Sequence, residues 1–181
     1  MNRPKVILLN GFAGSGKTTI AKLFTDTHPL AMRIEADELI VTIGDWLSHE
    51  DEARTLVDAL INKMIETATS LGHDVIIPYL VSNSVTADSF KQIARDNGSD
   101  FFEFYLKTDK HTALRRLLDR GTWGEAGSPP ITSNDIPLIN DIYDQMETTL
   151  RSRLAYTTID VEEGNPAATY EQMMHTIRNH V

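Results

Sequence analysis

The chemistry-bearing residues of this chain gather first in the run Gly11-Phe12-Ala13-Gly14-Ser15-Gly16-Lys17-Thr18. Four residues separate Gly11 from Gly16, and Lys17 and Thr18 follow at once. A polyphosphate needs several backbone N–H groups turned inward, and glycines let a loop curl and approach its oxygens closely. A lysine at this spacing reaches the β- and γ-phosphates, and a threonine hydroxyl is available to Mg²⁺. The expected nucleotide-binding set is Gly11, Ala13, Gly14, Ser15, Gly16, Lys17, Thr18 and Thr19. The bland alternative is a glycine-rich turn that happens to contain a lysine. The flanks count against it. Lys5 to Asn10 is a short apolar run suited to a buried parallel strand, and Thr19 to Phe24 starts a helix with Ile20, Leu23 and Phe24 on one face. That helix start would add about half a unit of positive charge at the phosphates.

Two further groups of residues suit the same chemistry. Glu35-Ala36-Asp37-Glu38 brings three carboxylates into four residues after a candidate second strand. Ligands of open α/β sheets sit beyond the carboxyl ends of the strands, so Asp37 is the candidate to take a proton from an attacking hydroxyl, to hold Mg²⁺, or both. Its alternative role is to cap the next helix; Glu35 and Glu38 are less defined, and one of them can be simply solvated. Arg116 and Arg120 lie four apart near the end of another helix and share a face. Guanidinium forks match phosphate oxygens in two-point contacts, although basic residues also complement a helix C-terminus. The glycine- and proline-rich stretch Gly121 to Pro130 follows, within a segment of about 121–135, and has the character of a lid that shields a transfer from water.

Composition narrows the partners. The chain has 181 residues, which suits one domain. A formal net charge of −9 argues against non-specific nucleic-acid binding. The absence of cysteine excludes disulfides and thiolate metal sites and fits a cytoplasmic location. No stretch approaches the ~20 apolar residues of a membrane span, and the N-terminus does not read as a signal peptide.

The elements that must position these groups alternate along the chain. Strands are expected at Lys5–Asn10, Ala31–Glu35, Asp74–Tyr79, Phe101–Leu106 and Thr157–Val161. A long helix opens at Ser48, with Asp51 three residues on in a weak capping box, and carries Leu56, Val57, Leu60, Ile61, Met64, Ile65 and Ala68 as a core stripe. Asn83-Ser84 caps a helix with Val85, Phe90, Ile93 and Ala94 apolar. Thr108 to Arg120 buries Leu114, Leu117 and Leu118; the remaining helices run over Ile136–Arg153 and Thr169–Asn179. The third strand ends in Pro78 and Tyr79, where many ATPases place a magnesium-binding Asp, which moves the acidic role onto Asp37. Pro78, Tyr79 and Ser82 either line an acceptor pocket or only turn the chain. No Asn-Lys-x-Asp guanine-reading sequence occurs.

Five βα units with a phosphate loop after the first strand make a doubly wound α/β fold. Taken together, Gly11 to Thr18, Asp37, and Arg116 with Arg120 before the Gly121–Pro130 loop resemble the small P-loop kinases, the group of shikimate kinase, gluconate kinase and chloramphenicol phosphotransferase. The resemblance implies a five-stranded parallel sheet of order 2-3-1-4-5, an acid after strand two, arginines beside a lid after strand four, and adenine near the turn Glu162–Pro166. It also implies ATP and Mg²⁺ as cofactors and transfer of the γ-phosphoryl group to a hydroxyl of a small molecule, with Lys17, Asp37, Arg116 and Arg120 catalytic and Thr18 and Asp37 at the metal. The acceptor stays open among sugar acids, antibiotics, nucleosides, nucleoside monophosphates and other metabolites; Arg33, Arg54 and Lys63 are the basic residues a monophosphate would call on. Monomer and homodimer are both compatible. A regulatory nucleotide-binding module and a nucleic-acid 5′-hydroxyl kinase remain as alternatives.

Overall fold

The computed structural model describes residues 3–81, 84–151 and 156–180. Among them, strands β1 (Lys5–Asn10), β2 (Met32–Arg33), β3 (Val75–Pro78), β4 (Asp100–Lys107) and β5 (Thr157–Asp160) form one parallel sheet in the order β2-β3-β1-β4-β5. The expected order 2-3-1-4-5 is therefore present. Parallel strands need crossovers, and helices supply them: α1 (Lys17–Thr27), α2 (Ala36–Ile40), α3 (Glu50–Ser70), α4 (Ser84–Asp96), α5 (Lys110–Arg120) and α6 (Ile136–Arg151), with α7 (Pro166–Arg178) following β5.

The central strand shows why the sheet is buried on both faces. Val6 to Leu9 are wholly inaccessible to solvent. Val6 and Leu8 enter a cluster with Ile61, Ile65, Ile77 and Phe90 under α3 and α4. Ile7 and Leu9 point the other way, to Ile20, Phe24, Leu106 and Met173 under α1 and α7. This alternation is the two-residue period of a strand with a helical layer on each side. A third cluster lies beyond the carboxyl end of the sheet, where Phe12 and Ala13 of the phosphate loop pack with Tyr105, Ala113, Leu117, Ile131, Ile139 and Tyr143.

Several sequence expectations need correction. β2 is a two-residue edge strand rather than Ala31–Glu35, although Ile34 N–H still donates to Ile76 O at 3.0 Å. α3 begins at Glu50 with His49 in the cap position and no side-chain cap, so the Ser48–Asp51 box does not form; the Ser48 hydroxyl bonds Asp45 instead, at 2.9 Å. Within α3 the stripe is narrower than expected. Val57, Ile61, Ile65 and Ala68 face the sheet, whereas Leu56 and Leu60 are 48% and 39% exposed. Each sits one position, or about 100°, round the helix from a buried neighbour. Val85 is likewise on the solvent side of α4, which buries Thr86, Ala87, Phe90 and Ala94. In α5, Ala113 joins Leu117 in the core, and Leu114 and Leu118 are only partly covered. Asp135 closes a capping box with Thr132 before α6, and on α6 itself Asp144 pairs with Lys110 at 2.7 Å. Asn83 and the last residues expected in the sixth helix lie outside the described residues.

The narrowed stripe gives a direct test. Ile61→Ala should cost about 2–5 kcal/mol of unfolding free energy by urea titration, while Leu60→Ala should cost less than about 0.5 kcal/mol. Equal losses would return Leu60 to the core.

Candidate nucleotide and phosphoryl-transfer site

The site is built where β1 gives way to α1. Asn10, buried at the end of β1, holds this junction: its Oδ1 accepts from Gly11 N–H at 2.8 Å and Val81 N–H at 3.2 Å, and its Nδ2 donates to Val81 O at 3.0 Å. A buried amide this well satisfied fixes the loop's starting direction against the chain leaving β3. Gly11 is required by space, since a Cβ there would lie 2.7 Å from Ser15 Oγ and 2.9 Å from Leu106 O. Gly16 takes a left-handed φ of +92° as the N-cap of α1, and nothing lies within 4 Å of where a Cβ would stand on it. The loop is thus packed on one side and open on the other.

Inside the loop, Lys17 Nζ donates to Gly11 O at 2.7 Å and Phe12 O at 3.1 Å. Burial pulls its pKa down to about 8 from 10.5; Asp37 opposes the shift and Arg120 adds to it. Ser15 Oγ is buried and meets no hydrogen-bond partner among the described residues. An orphaned hydroxyl, a partly buried cation and a glycine-lined open face fit a polyphosphate.

The acids divide their work differently from expectation. Glu35, not Asp37, occupies the N-cap position of α2, and its side chain makes no cap bond. Glu35 instead accepts from the Thr18 hydroxyl at 3.2 Å through Oε2 and meets Arg33 Nε at 2.7 Å through Oε1. Asp37 stands in the first turn of α2 and faces Lys17. Its pKa is raised, chiefly because water is lost around the carboxylate and next because Glu125 is near; Lys17 and Arg54 oppose the rise. The residue as a whole remains open to solvent, so this carboxylate sits at a mouth rather than in a core. All the oxygen donors around Thr18 are of the hard type Mg²⁺ prefers. Among the described residues no three acidic or histidine side chains could hold a metal by themselves, so an ion here would also draw on nucleotide oxygens and water.

The two arginines separate. Arg116 Nη1 donates to Gly14 O at 3.0 Å and its Nη2 lies 3.6 Å from Glu163 Oε1, so it ties the phosphate loop to the turn after β5. Arg120 faces Lys17 electrostatically and is folded onto its own loop, donating to Thr122 O at 2.7 Å and to Trp123 O. The segment 121–135 comes down over this region. Trp123 meets Phe12 edge-on with centroids 6.2 Å apart, Phe12 meets Tyr143 at 5.1 Å, and a Cβ on Gly124 would lie 3.3 Å from Asp37 Oδ2.

Sequence reasoning missed three contributors. Phe12 had only its position inside the motif to mark it, as a large apolar residue where a small one suffices. Glu125 sits in the glycine-rich segment yet is 9% exposed and pairs with Arg54 at 3.5 Å. Asn10 carried no signal. Of the basic candidates, Arg54 reaches the site, Arg33 is engaged by Glu35, and Lys63 pairs with Glu66 on the exposed side of α3. Tyr79 donates to Asp58 at 3.1 Å near Arg54 and Asp37, while Pro78 is buried in β3; Ser82 lies outside the described residues. Among the described residues no helix is long and apolar enough to cross a membrane.

A glycine loop between strand and helix, with its lysine and hydroxyl aimed into an open mouth on a 2-3-1-4-5 sheet, defines a P-loop nucleotide-binding protein. The chain belongs to the AAA domain family, whose pattern matches residues 6–134. No curated protein matches it. Solved structures do. The tunicamycin resistance protein of Deinococcus radiodurans is similar with a TM-score of 0.65 at 20% identity, over 97% of this chain and 96% of that one. A gluconokinase from Sinorhizobium meliloti 1021 gives 0.59 at 14% identity, over 99% of each chain. A chain of the Pnkp1/Rnl/Hen1 RNA repair complex gives 0.62 at 16% identity, with 86% of this chain matched to 48% of that one. The fold is that of the P-loop kinases.

The depressed basicity of Lys17 has a sign that can be checked. Between its folded value of about 8 and its ordinary 10.5, the unfolded chain binds the extra proton, so stability rises with pH across that window. Relative to Lys17→Met, the wild-type protein should therefore gain stability from pH 8 to 10.5 in urea titrations. A flat difference would mean that the ammonium is not desolvated.

Proposed function

We propose that the protein is an ATP-dependent kinase that transfers a γ-phosphoryl group to a hydroxyl of a small molecule. One observation carries this reading: Lys17, Asp37 and Arg120 converge at the mouth of the phosphate loop, beneath the segment 121–135. A module that only binds a nucleotide has no need of a carboxylate with raised pKa beside the lysine. The fold shared with a gluconokinase supports the same reaction class.

On this reading the loop N–H groups and the Ser15 hydroxyl hold the phosphates, with Thr19 at the start of α1 beside them. Lys17 exchanges its carbonyl partners for phosphate oxygens, a favourable trade for a desolvated ammonium. Mg²⁺, bound beside Thr18, would neutralise charge on the phosphate oxygens. Glu35 keeps the Thr18 hydroxyl oriented by accepting its proton in a hydrogen bond. Asp37 takes the proton of the acceptor hydroxyl, which its raised pKa favours. Arg120 leaves its own loop carbonyls to neutralise the transferring group, while Arg116 braces the loop from behind and aligns it with the Glu162–Pro166 turn, where adenine would lie. The whole chain acts as one domain, and residues 121–135 are its lid.

The test is incubation with γ-labelled ATP, Mg²⁺ and a pooled metabolite and antibiotic library, with an oligonucleotide 5′-hydroxyl arm. Label should enter a small molecule, and Lys17→Ala and Asp37→Asn should each lower turnover about 10²–10⁴-fold with unfolding midpoints little changed. Label in the oligonucleotide would favour an end kinase, a reading the likeness to a chain of an RNA repair complex keeps open and the net charge of −9 opposes. ATP binding without transfer would favour the binding module. Because Asp37 must be ionised to act, turnover should fall on acidification at a pH above the ordinary carboxylate value of 3.8. A rate that stays level down to that value would remove Asp37 from the base role.

A further inference from the structure

The side of α3 turned away from the sheet carries an apolar stripe that the single chain leaves uncovered. Leu56, Leu60, Lys63, Thr67 and Leu71 follow one another in steps of four, three, four and four, which holds them on one side of the helix. All five are exposed, and the aliphatic stem of Lys63 carries the apolar line across its middle. The inner stripe of Val57, Ile61, Ile65 and Ala68 already packs on the sheet. A surface helix needs one such stripe, and α3 has two.

Beside the carboxyl-terminal half of the outer stripe lies a groove of about 590 Å³, walled by Leu60, Met64, Thr67 and Leu71 on one side and by Leu30 and Met32 on the other. Leu30 is 77% exposed and Leu71 69%. Leu30 is strained as well. Ala31 N–H donates to His28 O at 3.0 Å and closes a turn over Pro29 and Leu30, in which Leu30 takes a φ of +65° where such a turn favours glycine. A leucine held in the left-handed region with its side chain in water is a cost to the single chain.

Charge decides what can cover this face. The chain has a net charge of −9, so two copies repel on most approaches. The groove differs: among the described residues that line it, Lys63 and His73 are ionisable and none is a carboxylate. At its rim Lys63 Nζ pairs with Glu66 Oε2 at 2.7 Å, both side chains being well exposed. Opposite charges this close to the middle of the stripe are self-complementary, since an antiparallel copy of the same helix offers each of them its opposite.

We propose that two copies of this chain pair across a two-fold axis through the outer faces of their α3 helices, which run antiparallel. With the axis near Lys63 and Met64, Leu56 of each copy reaches Leu71 of the other and enters the groove beside Leu30, while Leu60 lies against Thr67. Lys63 of each copy then has Glu66 of the other within a helical turn, and the helix dipoles oppose each other. Burial of the Leu30 side chain in the pair offsets the strain of its turn. No residue of the phosphate loop enters this contact, so the pairing is independent of the kinase reading. In urea the copies part before the chains unfold, so the small cost expected of Leu60→Ala stands.

The experiment is sedimentation velocity of the intact protein at about 100 μM, where association of even moderate affinity is visible. The wild type should sediment as a dimer. Leu30→Gly should weaken association about tenfold or more, while the thermal midpoint of the dilute, dissociated protein holds or rises, because glycine relieves the turn. Lys63→Glu and Glu66→Lys should each weaken association about tenfold, since like charges then meet across the axis. An equimolar mixture of those two variants should recover wild-type association, because both cross-axis contacts become opposite in sign. Circular dichroism verifies that each variant is folded. A wild type that stays monomeric, a Leu30→Gly variant that associates as tightly as the wild type, or a mixture that associates no better than its two components overturns the proposal.

Discussion

A lysine ammonium placed at the carboxyl ends of parallel strands, with little water around it, is the constraint on which the rest of this structure turns. Lys17 satisfies itself on the carbonyls of Gly11 and Phe12 and is still driven toward lower basicity. That arrangement costs free energy in isolation and becomes favourable when phosphate oxygens approach. The central strand, inaccessible from Val6 to Leu9, gives the rigid base from which the loop can hold such a group. Asn10 locks the loop to the chain beyond β3, and Arg116 braces its other side against Glu163.

Charge around this lysine is graded by element. α2 supplies Asp37 and the residue before it supplies Glu35, α5 supplies Arg120, α3 supplies Arg54, and the long connection after α5 supplies Glu125. The acid nearest Thr18 is held by a hydrogen bond and an arginine, whereas Asp37 is left with its acidity weakened. The aromatic contact of Trp123 with Phe12 then joins the covering segment to the phosphate loop itself.

Much of this was legible in the sequence, and the reasons are local. The glycine spacing, the apolar run before it and the helix after it depend on neighbours in the chain, so the phosphate loop and the alternation of strands and helices could be read directly, while the strand order followed only from the resemblance to the small P-loop kinases. Asp37 and the arginine pair could be placed at the correct end of the sheet because strand ends follow from the order of elements. The split between Leu60 outside and Ile61 inside could not be read, because helical periodicity marks a stripe but not which edge of it meets the sheet.

What only the tertiary structure decided are the pairings between distant segments. Glu35 rather than Asp37 takes the Thr18 hydroxyl, Arg116 turns to Gly14, and Glu125 crosses to Arg54. Each is a contact between charged or polar groups separated by many residues, and its geometry depends on how far a loop descends over the sheet. Composition and spacing determine which groups are available at that end of the fold; the packing of Phe12, Trp123 and Tyr143 in three dimensions determines which of them meet.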